Sequence, residues 1–207
     1  MSLIKNLKIA RDPEAYWRRQ GWGPKLTFLI ERPGAERLAL TLRIPLDWQA
    51  FDALDMPADA EPPPGSMAQA VAALARVAGA AGVITVLGIT RTVAREGNPD
   101  AQLFATVSVA LADVPGEAPE SSPAAEVGAV EFEHPDGDYR GTRIREVRRA
   151  EIVPGNEPAS FLSVQYLLET EYGWLAVTFA TPQVEVFEKL GLLFDKIAGG
   201  CRIEPGS

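Results

Sequence analysis

Between residues 38 and 44 apolar and polar positions alternate. Leu38, Leu40, Leu42 and Ile44 share one parity, and Thr41 and Arg43 take the other. A period of two is the mark of a strand with one buried face. A second β-rich run, Leu26–Glu31, lies before it across the turn signal Pro33-Gly34, so the two predict a hairpin. The runs on either side of Glu96-Gly97-Asn98-Pro99-Asp100 are almost continuously apolar. They predict a second hairpin of central strands, covered on both faces. Further on, Val130 and Phe132 alternate with Glu131 and Glu133, and Arg140–Val153 reads as a long basic strand. Phe161–Thr170 and Trp174–Ala180 then pair across Glu171-Tyr172-Gly173, a short hairpin connection.

Three stretches switch to helical spacing. Asp12-Pro13-Glu14 supplies a cap, a proline at the first helical position and an acid near the positive helix end. Ser66 caps an Ala-rich run in which Met67, Val71, Leu74, Ala78 and Ala81 fall near one face. At the end, Thr181-Pro182 reads as cap and first position. Val186, Phe187, Leu190, Leu193, Phe194 and Ile197 form the apolar side, with Glu185, Glu188, Lys189, Asp195 and Lys196 on the rest. Gly199-Gly200 stops this helix with a residue able to take positive φ. Burying its apolar side chains is worth roughly 1.5–3 kcal/mol each, which makes the helix a clamp on a sheet face. The acidic, Pro-rich segment from Pro45 to Gly65 and the segment 115–128 read as surface loops.

At 207 residues the chain suits one domain or a domain with an appendage. The net charge of −8 argues against a nucleic-acid partner. One cysteine and one histidine leave no His- or Cys-rich zinc site and no intrachain disulfide. No apolar run is long enough for a membrane-spanning helix and the start lacks a secretory pattern, so no membrane insertion and a cytoplasmic location are expected.

The catalytic inventory is thin. There is no Gly-x-Ser-x-Gly elbow, and no phosphate-cradling glycine motif among the 18 glycines. His134 sits beside the turn Pro135-Asp136-Gly137 and reads as a surface histidine. Cys201 follows a helix C-terminus, the wrong end for a thiolate, and reads as a small buried residue. Asp47, Asp52, Asp55, Asp59 and Glu61 lack the tight alternation of a calcium loop. No catalytic residue, cofactor or metal is assigned, and the chain is not expected to be an enzyme.

Two features remain as binding surfaces. On a strand, Arg143, Arg145, Val147 and Arg149 share one face, with Ile144, Glu146 and Arg148 on the other. Such a row either guards against strand-to-strand aggregation or docks an acidic partner. Tyr16, Trp17 and Trp22 either pack on the domain or present an aromatic patch.

"LTLRIPLDWQAFD" (residues 40–52) resembles the entry segment of PsbP-like domains, and "WLAVTFATPQVEVFEKLGLLFDKIAGGCRI" (174–203) resembles their exit. The pattern is also similar to small uncharacterised actinobacterial proteins. The resemblance spans roughly residues 37–204 and implies an α+β fold, an antiparallel sheet flanked by helices in an α/β/α sandwich. It implies accessory or assembly roles, some associated with secretion, and no catalytic residues. Residues 1–36 are then an added N-terminal helix and first hairpin strand packed on the domain, and 37–207 the PsbP-like domain. The expected function is non-enzymatic protein binding. The alternatives are small-molecule or lipid binding in a sheet–helix cavity, and a homodimer closed through the Ala-rich run.

Overall fold

The alternating row 38–44 becomes strand β2 (Leu38–Pro45), whose Leu38, Leu40, Leu42 and Ile44 are all buried. The structure, a computed structural model, describes residues 18–31, 36–52, 83–95, 98–112, 128–133, 140–150, 159–183 and 187–206. Strand β1 (Trp22–Ile30) pairs with β2 in the predicted hairpin, with Phe28 opposite Leu40. The C-terminal strand β10 (Arg202–Pro205) pairs with the other edge of β2, completing a three-stranded antiparallel sheet.

The larger sheet has seven strands in the order β3-β4-β5-β9-β8-β7-β6. They are β3 (Gln49–Asp52), β4 (Val83–Arg95), β5 (Asn98–Ala112), β6 (Gly128–Glu133), β7 (Arg140–Ala150), β8 (Ala159–Thr170) and β9 (Gly173–Thr181). Every pairing is antiparallel. One helix, α1 (Phe187–Gly200), follows β9.

One face of the large sheet carries Leu87 and Ile89 from β4, Val107 and Val109 from β5, Val164 and Tyr166 from β8, and Val177 and Phe179 from β9. These meet the buried row of β2 and Leu190, Phe194 and Ile197 of α1 in a single core. Ring stacking fixes the helix here: Phe179 lies parallel to Phe194 at 4.4 Å, while Tyr166 meets Phe179 edge-on at 5.7 Å. Val86 and Phe104 are buried on the opposite face, as expected for central strands.

The expected α/β/α sandwich is overturned. The described residues are mostly strand, with ten strands in two antiparallel sheets; the helical ones are Phe187–Gly200 and the short helical end at Arg18 and Arg19. The physical reason lies in β2. Its apolar row needs a facing layer, and it finds one by stacking its own small sheet beside α1 on the large sheet, in place of a helical layer. The Ala-rich run 66–82 lies outside the described residues. Of the helix predicted after Asp12 only the end is described, where Arg18 and Arg19 are helical and Gly21 takes positive φ (81) in the turn into β1.

Several boundaries move. Gln49–Asp52, expected as loop, adds an edge strand to β4, and Asn98–Asp100, expected in a turn, begin β5. Thr181 ends β9 and does not open the helix. Its hydroxyl donates to the Phe104 carbonyl at 2.7 Å and accepts the Gln183 amide at 3.2 Å. Gln183 Oε1 in turn accepts the Phe104 amide at 2.9 Å, so these two side chains continue the β5–β9 ladder where the strands part. Neither Gly199 nor Gly200 takes positive φ. The helix end is satisfied instead by Arg202, whose Nη1 donates to the carbonyls of Gly199 and Cys201 at 2.7 and 2.6 Å. Positive φ does occur at Gly173 (φ 123), where Thr170 Oγ1 donates to the Gly173 carbonyl and accepts the Tyr172 amide in the predicted β8–β9 turn.

Candidate functional site

Strand β7 concentrates cationic charge. Five of the chain's 20 Lys and Arg residues, Arg140, Arg143, Arg145, Arg148 and Arg149, lie in its eleven residues. Its register with β8 sets Arg143 opposite Tyr166, Arg145 opposite Val164 and Val147 opposite Leu162. Opposed residues of an antiparallel pair project to the same side. The predicted arginine row therefore faces the side of the sheet that carries the core and α1. On the other side Glu146 is buried opposite Ser163.

The residues of the row do different things. Val147 packs against the core. Arg145 is exposed. Arg143 reaches helix α1, where its Nη1 donates to Asp195 Oδ1 at 3.0 Å and Oδ2 at 3.2 Å. The buried Tyr166 hydroxyl donates to the same Oδ1 at 2.7 Å. Burial, and then the neighbouring Asp195 carboxylate, push the Tyr166 phenol far above its ordinary range, so it stays protonated and donates. Asp195 is thus a shared acceptor that ties β7, β8 and α1 together. With 36% of the Arg143 side chain and 27% of the Asp195 side chain accessible, the pair sits at the boundary of core and solvent.

Asp195 and Tyr166 were not legible as site residues. Asp195 sits among the polar positions of its helix, and nothing in the chain links it to a strand residue 52 positions earlier. Trp22 lies on β1, half-buried against the core. The Arg149 side chain, Tyr16, Trp17 and His134 lie outside the described residues. Asp47 pairs with Arg91 at 2.9 Å, while Asp55, Asp59 and Glu61 lie outside the described residues.

Cys201 is fully buried, its thiol 3.4 Å from the Ile197 carbonyl, and burial pushes its pKa up to about 12. That is a packed thiol with no nucleophilic role at neutral pH. No described helix is long and apolar enough to cross a membrane.

No family model matches the chain, and no curated protein matches it. Among solved structures it is similar to the solution structure of cyanobacterial PsbP from Synechocystis sp. PCC 6803. The identity is 12%, the TM-score 0.36, and the match covers 87% of this chain and 92% of that one. The neighbour bears the name of the family that the entry and exit motifs resemble.

Proposed function

We propose that this chain is a non-enzymatic accessory protein that docks an acidic segment of a partner protein along the β7 arginine row. One observation supports the reading above others: a chain of net charge −8 gathers five arginines on one strand and leaves Arg145 exposed beside the half-exposed Arg143. Like-signed charge held on rigid strand backbone is suited to steering and registering an oppositely charged segment.

Arg145 is the more exposed of the two, so the test rests on it. Fluorescence anisotropy of a labelled polyglutamate peptide is titrated with the wild type, with Arg145→Glu, and with Arg18→Glu, a reversal at an exposed residue away from β7. Binding is expected to weaken with salt, to fall at least several-fold in Arg145→Glu, and to change little in Arg18→Glu. Equal binding by the two variants, or binding indifferent to salt, would remove the docking surface from β7.

A further inference from the structure

Strand β1 is the longest sheet edge left unpaired among the described residues. It runs nine residues, against four for β3 and β10 and six for β6. β10 is further blunted by ending on Pro205, which has no amide to donate. From Lys25 to Ile30, β1 pairs with β2 without interruption, so its opposite edge presents a regular row of backbone groups. Its side chains are also unfinished. Leu26, Phe28 and Ile30 pack against the core but remain half-buried, and Leu29 on the outer face is 55% exposed.

We propose that this edge pairs with a second copy of the same chain, β1 antiparallel to β1, about a twofold axis at Phe28. The sequence of the edge is self-complementary in that register. Phe28 meets Phe28 of the second copy, and Leu26 meets Ile30, so the half-buried row continues unbroken across the axis. Lys25 falls opposite Glu31 of the second copy, and Glu31 opposite its Lys25, both exposed residues of opposite charge; Glu31, 75% accessible, shares its carboxylate with Arg37 of its own chain. Shifting the centre to Thr27 or Leu29 sets Lys25 against Leu29 or Glu31 against Thr27 and loses both charge pairs. A twofold interface demands this reciprocity, in which each contact occurs twice. The product is one six-stranded sheet, β10-β2-β1 joined to its twofold mate. The surface is separate from the β7 row and does not depend on the function proposed for it.

Sedimentation equilibrium of the full chain over a wide concentration range tests the proposal, with Lys25→Glu, Glu31→Lys and the double swap Lys25→Glu/Glu31→Lys. Each single reversal converts two attractive cross-axis pairs into two repulsive ones, and the double swap restores them; Lys25→Glu, which leaves the Glu31–Arg37 pair intact, is the cleaner of the two single variants. The wild type is expected to dimerise with concentration. Each single variant is expected to dissociate roughly tenfold more readily, and the double variant to return towards the wild type. A wild type that stays monomeric throughout overturns the proposal. So does a dimer that is indifferent to the single reversals, or one that the double swap does not rescue.

Discussion

Asp195 on helix α1 accepts the Tyr166 hydroxyl at 2.7 Å on the same Oδ1 that takes Arg143 at 3.0 Å. One carboxylate therefore serves a buried phenol and a half-exposed guanidinium together. The two bonds differ in worth. The ion pair is partly in water and contributes at most about 1 kcal/mol. The phenol is fully buried, and loss of its charged acceptor costs about 1–3 kcal/mol.

Asp195→Ala should accordingly destabilise more than Tyr166→Phe, which removes donor and demand together, and more than Arg143→Met. We expect about 2 kcal/mol for Asp195→Ala and about 1 kcal/mol or less for the other two. Urea unfolding of the single variants and of Tyr166→Phe/Asp195→Ala closes a double-mutant cycle. A coupling above about 0.5 kcal/mol is the expected outcome, and additivity would show that the bond does not matter in solution.

Alkaline pH should loosen the fold through two groups. Cys201 is raised from its usual 9.0 to about 12, and Tyr166 is raised above its usual 10.0, both first by burial. The unfolded chain loses these protons at the ordinary values while the folded chain keeps them. Their contribution to stability is thus complete below pH 9 and is lost as pH climbs through the folded values. The urea midpoint should fall between pH 9 and 12, less steeply in Cys201→Ala. At pH 8 the folded thiol should resist a thiol-specific reagent that labels it at once in urea. Rapid labelling of the native protein would contradict its burial.

The parts of the fold that were legible are those where one strand or helix states its own burial. Leu38 to Ile44 announce a one-faced strand, Leu190, Phe194 and Ile197 a docked helix, and Cys201 a packed thiol. What escaped is whatever depends on a distant partner. Ile203 pairs with Leu40 across most of the chain, so the small sheet, and with it the second layer, could not be read locally. Helix flanks were expected because the resemblance of the entry and exit motifs implies them, and periodicity does not say whether a helix or another sheet covers an apolar sheet face. The arginine row of β7 was placed on one face from its spacing. That this face looks toward α1, and that Asp195 takes up Arg143, depend on register with β8.

Gly141 should tolerate no side chain. It lies on β7 opposite Leu168, and a Cβ built on it would collide with the Leu167 carbonyl oxygen. The obstacle is backbone, which cannot rotate away as a side-chain end could, so the strands must separate or shift register. Gly141→Ala should cost more than about 2 kcal/mol and loosen the β7–β8 pairing, beyond the roughly 1 kcal/mol range of ordinary substitutions. Thermal unfolding and amide exchange of β7 read this out. A variant as stable as the wild type would mean that the strands are further apart than they stand here.

Thr85 offers the opposite case, a substitution that should help. It lies fully buried on β4 opposite Val109, on the face shared with Leu87 and Ile89, and its Oγ1 has no hydrogen-bond partner among the described residues. A hydroxyl sealed away from water without an acceptor loses its hydration and gains nothing in return. Valine has nearly the same shape, keeps the β-branch that suits a strand, and replaces the hydroxyl with a methyl that its apolar neighbours can pack. Thr85→Val should therefore raise stability by about 1 kcal/mol, where Thr85→Ala, which leaves a void, should lower it. Paired urea titrations separate the two signs. If Thr85→Val instead destabilises, the hydroxyl is satisfied in solution, by a buried water whose loss the valine variant would then reveal.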